Sequence, residues 1–226
     1  MDGQRGVPRK NPGAPKTLIV YYSYTGNCKA IVNSLTSQIT ADVLEIQPAE
    51  KGLKYEANNY ALGTQLLNAI KANPNDASSY PAIDPVNVSL DDYQNIIIVT
   101  PLWWSQMAAI MQTYLFNNST QMAGKTVALI VSSHSSGISG VVADAQRLLP
   151  NVTWAGDALW INASNHGNRA SLIENWLPKQ TFKTDATGIC QVRANKTSSK
   201  VYTLQGTLAS ASAKGIIIQD GKKVIR

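Results

Sequence analysis

Cysteine and histidine are scarce in this sequence, and their scarcity limits the chemistry that the chain can carry. Two cysteines, Cys28 and Cys190, and two histidines occur among 226 residues. Two cysteines so far apart are too few for a disulfide framework or a metal cluster. We therefore expect two free thiols and no metal site, with a single 28–190 disulfide as the alternative.

Long hydrophobic runs are also missing. The most apolar stretch, residues 95–104, has the length of one strand, whereas a bilayer-spanning helix needs roughly 18 to 20 apolar residues. Residues 1–16 have no apolar signal-peptide core and predict a flexible leader. We expect no transmembrane segment and a cytoplasmic protein. The alternative is an exported or bacterial envelope protein whose signal peptide has been removed.

Acidic residues are fewer than basic ones, which gives a net charge of +6. The excess lies at the two ends, because residues 17–181 contain eight basic and eleven acidic residues. The basic ends lack the interleaved aromatic residues of a platform for single-stranded nucleic acid. Nucleic acid is therefore not an expected partner.

Apolar runs typical of strands alternate along the chain with patterns typical of helices. Such alternation predicts an α/β fold with a doubly wound parallel sheet, because parallel neighbours need crossover helices. Residues 48–94 are less regular and predict an excursion before the third strand. The predicted strands are 17–22, 42–47, 95–100, 125–132 and 153–161, and the predicted helices are 28–39, 60–72, 108–116, 140–149 and 168–177.

The loop after the first predicted strand has the composition of an anion site. It places hydroxyl groups, a glycine and several backbone N–H groups at the start of a helix, where unpaired donors and a partial positive charge favour anions. Because it contains no lysine or arginine and no Walker A pattern, it suits a phosphate monoester. The alternative is an ordinary capped loop. Its residues are Ser23, Tyr24, Thr25, Gly26, Asn27 and Cys28.

The run from Ile19 to Asn27 resembles the N-terminal FMN-phosphate signature of flavodoxins, in which a strand, Ser/Thr-x-Thr-Gly-Asn and a helix follow one another. The resemblance implies a flavodoxin-like five-stranded sheet of order 2-1-3-4-5 that holds FMN at the carboxyl ends of its strands. Cys28 stands where a hydroxyl residue is usual. One side-chain donor is lost there, and the backbone N–H remains.

Two further loops fit the same resemblance. Pro101, Leu102, Trp103 and Trp104 follow the third strand and are similar to the flavin-wrapping loop of one flavodoxin-like subgroup; buried core tryptophans are the alternative. The loop after the fourth strand is expected at the pyrimidine edge of the flavin, with His134 as a cofactor contact, whereas His166 is expected to be structural or exposed. Its residues are Ser133, His134, Ser135, Ser136 and Gly137.

The predicted organisation is a leader over 1–16, a flavodoxin-like FMN-binding domain over 17–180 and a small β-rich appendage over 181–226. Short alternating runs with turn signals predict the appendage. Its runs 201–206, 214–216 and 221–224 resemble the C-terminal β modules of exported Bacteroidetes proteins.

These observations favour an FMN-binding redox protein that transfers electrons through a non-covalent flavin to a redox partner protein. One alternative is an NAD(P)H-dependent reductase of quinones or nitro compounds, which acts on a small quinone-like substrate. The other is a non-redox module that binds another ligand or partner on the same fold. The sequence assigns no catalytic residue, and it leaves the choice between enzyme and electron carrier open.

Overall fold

The computed structural model describes residues 15–184 and, further along the chain, the backbone of four short strands between residues 201 and 225. Contacts divide the chain into two compact units, residues 1–192 and 193–226. The predicted leader, apart from its last two residues, and Cys190 lie outside the described residues. None of the helices in the described part of the chain is long and apolar enough to cross a membrane.

Strands and helices alternate through the first unit. Its strands are β1 (Lys16–Tyr21), β2 (Asp42–Glu45), β3 (Tyr93–Trp103), β4 (Gln106–Met107), β5 (Thr126–Ser133), β6 (Thr153–Trp154) and β7 (Leu159–Asn162). Its helices are α1 (Asn27–Thr36), α2 (Ala57–Ala72), α3 (Ala109–Met122), α4 (Ser139–Leu148) and α5 (Arg169–Trp176). Short 3-10 turns occur at Ala77–Ser79, His166–Asn168 and Leu177–Lys179.

The main sheet has the order β2-β1-β3-β5-β6, with β7 also paired to β5. These pairings are all parallel, which confirms the predicted doubly wound sheet and the order 2-1-3-4-5. β3 lies at the centre because its apolar run is covered on both faces, as parallel sheets require. Ile97 of β3, for example, pairs with Ile19 on one side and Ala128 on the other, and it is fully buried.

Helices cover the two faces of the sheet. One core contains Ile19, Ile97 and Ile130 of the strands together with Ile31 of α1 and Ile173 of α5. The other core contains apolar residues of α2, α3 and α4 against the opposite strand face. The carboxyl ends of β1, β3, β5 and β7 are left between these two layers.

The predicted fifth strand is two short strands, β6 and β7, separated by residues 155–158. The C-terminal end of the domain packs at this interruption. The Thr181 N–H donates to the Ala155 carbonyl at 2.8 Å, and a side chain at Gly156 would approach the Lys179 carbonyl at 3.2 Å. This long-range packing has no local sequence signal.

The strands of the second unit are β8 (Val201–Thr203), β9 (Leu208–Ala209), β10 (Ile216–Gln219) and β11 (Lys222–Ile225). They form an antiparallel sheet of order β11-β10-β8-β9. The β-rich character predicted for the appendage is present in these strands.

Candidate functional site

A cleft of about 840 Å³ opens at the carboxyl ends of β1, β3, β5 and β7. Its size falls within the range of roughly 300 to 1,000 Å³ that is typical of small-molecule sites. The residues that line it are Ser23, Tyr24, Thr25, Asn27, Cys28, Tyr55, Glu56, Tyr60, Pro101, Leu102, Trp103, Trp104, Ser132, Ser133, His134, Asn162, Ala163 and His166.

The three loops predicted from the sequence meet at this cleft. Most of their predicted residues line it, since parallel strands end at the same edge of the sheet. Gly26 lies within the first loop and shapes it without lining the cleft. The predicted residues Ser135, Ser136 and Gly137 are exposed and lie outside the lining.

The first loop brings free backbone donors to one end of the cleft. Gly26 has φ 87°, a left-handed conformation that glycine adopts readily, and α1 starts immediately after it without a side-chain cap. Among the described residues, the N–H groups of Asn27 and Cys28 have no hydrogen-bond acceptor, while the Lys29 N–H donates to Ser23 Oγ at 3.2 Å. Among the residues that the structure describes, no lysine or arginine lines the cleft. The geometry favours an anion that is bound by N–H groups and neutral hydroxyls.

The Cys28 side chain belongs to the core more than to the loop. The residue is 1% exposed and packs with Ile31 of its own helix and Ile19 of β1. Burial raises the pKa of the thiol well above its usual range, against a smaller lowering by a hydrogen bond with Ser132. The thiol stays protonated and is a weak donor, so the main donor at this position is the backbone N–H.

The second loop is a β-hairpin. β3 continues through Pro101 to Trp103, and Trp103 pairs with Gln106 of β4 across a two-residue turn. The turn residues Trp104 and Ser105 have φ of 48° and 64°, and positive φ at both central positions is what a type I′ turn requires. The sequence did not show this hairpin, because I′ turns usually contain Asn-Gly or Asp-Gly.

Two glycines on neighbouring helices make room for the hairpin. A side chain at Gly63 of α2 would lie 2.6 Å from Trp104 Cη2, so the indole rests directly on that helix. A side chain at Gly140 of α4 would overlap the Ser105 carbonyl oxygen. The hairpin therefore has fixed contacts on both sides.

The two tryptophans have different environments. Trp103 is partly buried and packs against Tyr55, with ring centroids 4.6 Å apart, and against Tyr22 at 5.9 Å. Trp104 is 46% exposed and meets Tyr60 edge to face at 5.7 Å. A half-exposed indole beside a cleft offers a planar ligand an apolar surface to cover.

Tyr55 also places an unpaired polar atom at the cleft. Its hydroxyl and that of Tyr22 are buried, and neither makes a hydrogen bond of good geometry with a described residue, although the two hydroxyls lie close enough to shift each other's pKa. Burial raises the pKa of both groups, so each remains a neutral donor. The Tyr55 hydroxyl therefore has hydrogen-bonding capacity left for a ligand that accepts a hydrogen bond at the cleft.

Some polar groups of the third loop already form hydrogen bonds within the protein. Ser133 Oγ accepts from Trp160 Nε1 at 2.8 Å and donates to the Ser136 carbonyl at 2.9 Å. The hydroxyl proton of Ser133 is therefore not free for a ligand. His134 is exposed at the cleft, and its carbonyl accepts the Ala163 N–H at 3.0 Å.

His166 lies at the cleft, although its sequence context led us to expect a structural or exposed residue. Its Nε2 is 3.4 Å from the Asn27 carbonyl oxygen, at the start of α1. The 3-10 turn before α5 places it there, since α5 packs against α1. Its position in the sequence, just after the predicted fifth strand, could have indicated that it lies at the carboxyl edge of the sheet with the other loops.

The irregular segment before α2 closes another side of the cleft. The Tyr24 hydroxyl donates to Glu56 Oε2, and the Tyr24 and Tyr55 rings meet edge to face at 5.1 Å. The hydrogen bond is the main cause that raises the pKa of Tyr24 and lowers the pKa of Glu56. No sequence motif points to Tyr55, Glu56 or Tyr60, because these residues reach the cleft only through the tertiary fold.

Comparisons with known proteins agree with this architecture. The family described as flavodoxin matches residues 16–180. A candidate flavoprotein from Bacteroides uniformis is 26% identical, with a TM-score of 0.54 over 71% of this chain and 98% of that one. A flavoprotein from Lactobacillus acidophilus, solved in complex with FMN, is 22% identical, with a TM-score of 0.55 over 69% of this chain and 99% of that one.

Proposed function

The chain belongs to the flavodoxin family, and from that membership we propose that residues 17–180 bind FMN without a covalent bond and transfer electrons through it to a redox partner. One observation carries the proposal: a single cleft combines free N–H groups at a helix N-terminus with a half-exposed indole. These features match the two chemically different parts of FMN, a phosphate and a planar ring system. The Lactobacillus flavoprotein with FMN shares this fold.

The residues at the cleft fit the phosphate. The N–H groups of Asn27 and Cys28 would bind its oxygens, with the hydroxyls of Ser23 and Thr25 beside them. The partial positive charge at the start of α1 favours the anion in the absence of basic side chains. Tyr24 and Gly26 hold the loop in shape.

The opposite side of the cleft fits the ring. The hairpin segment Pro101–Trp104 would form its wall, with Trp103 and Trp104 excluding water. Ser133 and His134, the part of loop 133–137 that lines the cleft, would border the pyrimidine edge. Bound FMN supplies the capacity to accept and release one or two electrons. The apolar wall of Trp103 and Trp104 would disfavour added negative charge on the ring, which would lower its reduction potential.

An FMN titration of the purified chain tests the proposal. We expect quenching of flavin and tryptophan fluorescence on binding. Thr25→Asp should prevent FMN binding by charge repulsion and leave the binding of riboflavin, which lacks the phosphate, largely intact. Asn33→Asp adds the same charge at an exposed position of α1, the helix that follows the loop, and serves as the control. Absence of quenching with wild-type protein would refute the FMN proposal and favour a non-redox module.

The electron-transfer role needs a separate measurement. Stopped-flow reduction of the FMN-loaded protein by NADPH should be no faster than reduction of free FMN, since electrons are expected to come from a protein partner. A rate far above that of free FMN would contradict the carrier role. It would instead identify a reductase that acts on a small quinone-like substrate.

A further inference from the structure

Strand β4 depends on side chains to complete its hydrogen bonding. Met107 is fully buried and pairs with Leu102 of β3. The Met107 N–H donates to Asp144 Oδ2 at 2.9 Å, and the Met107 carbonyl accepts from Gln112 Nε2 at 2.8 Å. Buried backbone groups are unfavourable without partners, so these two side chains hold the second strand of the tryptophan hairpin in place.

Arg147 joins the two side chains into one unit. Its Nη2 donates to Gln112 Oε1 at 2.8 Å and lies 3.4 Å from Asp144 Oδ1. Because the guanidinium has only hydrogen-bond donors, the Gln112 amide must turn its oxygen toward Arg147. The amide NH₂ group then faces the Met107 carbonyl. We call Asp144, Gln112 and Arg147 the Met107 network.

The same face of α4 contacts the hairpin at its other end. Gly140, Asp144 and Arg147 are spaced i, i+4 and i+7, which places them along one side of the helix. Gly140 leaves room for the Ser105 carbonyl of the turn, and Asp144 binds β4. One helix face therefore determines the position of both the turn and the strand.

We infer that the Met107 network consists of positioning residues that set the Trp103–Trp104 hairpin against the cleft and thereby tune flavin affinity. The inference rests on the proposed function for its ligand, because none of the three residues lines the cleft. Their action passes through the hairpin backbone. Ordinary core hydrogen bonds would change the free energy of unfolding and leave the cleft unchanged.

Two substitutions interrupt the Met107 network at different points. Asp144→Ala removes the acceptor for the Met107 N–H, whereas Asp144→Asn keeps an acceptor oxygen. Gln112→Glu keeps an oxygen for Arg147 but has no N–H group for the Met107 carbonyl. Thr113→Val is the matched control, since Thr113 is the next residue on α3 and its hydroxyl bonds the Pro81 carbonyl at 2.9 Å, away from the hairpin.

Each variant is measured for unfolding by urea, for near-ultraviolet circular dichroism without ligand, and for FMN affinity. We expect Asp144→Ala and Gln112→Glu to change the tryptophan dichroism and weaken FMN binding about tenfold, the scale of one lost hydrogen bond to a charged or buried group. Asp144→Asn should recover most of the affinity. Thr113→Val should lower stability and leave both the dichroism and the FMN affinity near wild type.

Three outcomes would overturn the inference: unchanged dichroism and affinity in folded Asp144→Ala, the same result in Gln112→Glu, or an equal loss of affinity in Thr113→Val. If Asp144→Ala does not fold, Gln112→Glu decides. Failure of the proposed function is distinguishable, because wild-type protein would then bind no FMN. The dichroism of the ligand-free variants would still report whether the Met107 network sets the hairpin.

Discussion

Replacing Gly63 by alanine should separate protein stability from cofactor binding. The added Cβ would lie 2.6 Å from Cη2 and 2.7 Å from Cζ3 of Trp104, whereas ordinary contact begins at 3.4 Å. The indole must therefore move by about 0.8 Å, the difference between 3.4 and 2.6 Å. Because Trp104 is 46% exposed, it can move without opening the core.

The substitution has two opposing effects on stability. Alanine is favoured over glycine in a helix interior by about 1 kcal/mol, and Gly63 lies inside α2. Displacing Trp104 weakens its contact with Tyr60, and an aromatic pair contributes about 0.5 to 1.5 kcal/mol. The free energy of unfolding should stay within about 1 kcal/mol of wild type. FMN affinity should fall about fivefold, because the indole no longer lies where the ring would stack.

Urea unfolding of the ligand-free protein and an FMN quenching titration measure the two quantities. Asn68→Ala is the control, since Asn68 is exposed on the same helix and the change favours helix formation by about 0.5 kcal/mol without touching Trp104. The control should keep wild-type FMN affinity. If Gly63→Ala gained about 1 kcal/mol of stability and bound FMN as tightly as wild type, Trp104 would not belong to the flavin site.

Three further perturbations address the hairpin, the buried hydroxyls and the rim of the cleft. Gly140→Ala should lower the free energy of unfolding by about 1 to 3 kcal/mol in urea, because the Ser105 backbone must shift; an unchanged value would contradict the contact. Burial raises the pKa of Tyr21, Tyr22, Tyr114 and Cys28 in the folded state. The unfolded chain therefore loses these protons first, so the free energy of unfolding is unaffected below the unfolded-state pKa and decreases as the pH rises above it. Stability measured from pH 8 to 11 should fall at the high end, and a flat profile would count against these assignments. Glu56→Gln should tighten FMN binding by less than about fivefold, because it removes an exposed carboxylate that lines the cleft beside Tyr24 and would repel an anionic ligand; weaker binding at low salt would contradict this.

The fold could be predicted because most of its strands and helices are encoded locally. The β-branched run of residues 95–100 and the helical spacing after Asn27 are visible without any distant contact. The sheet order follows from the way such units pack, and it is confirmed here. The C-terminal extension of β3 and its hairpin partner β4 were missed because Trp104 and Ser105 adopt positive φ without the usual glycine.

The candidate site was only partly visible. The polar residues of loop 23–28 predicted an anion site at one end of the cleft, since a helix N-terminus after a polar loop is a local feature of the sequence. The sequence could not show that the Ser133 hydroxyl is engaged by Trp160 and Ser136. Nor could it place Tyr55 and Glu56 at the cleft, because they come from an excursion without regular pattern.

The sequence by itself determined the alternation of strands and helices, the phosphate-type loop and the position of the paired tryptophans along the chain. Only the tertiary structure decided how those tryptophans are oriented. Their hairpin is held by Gly63 of α2, by Gly140 of α4 and by the Met107 network of α3 and α4. The physical reason is the sequence distance over which each interaction acts. Periodicity and capping act over a few residues, whereas the packing of the hairpin depends on groups up to about forty residues away that the fold alone brings together.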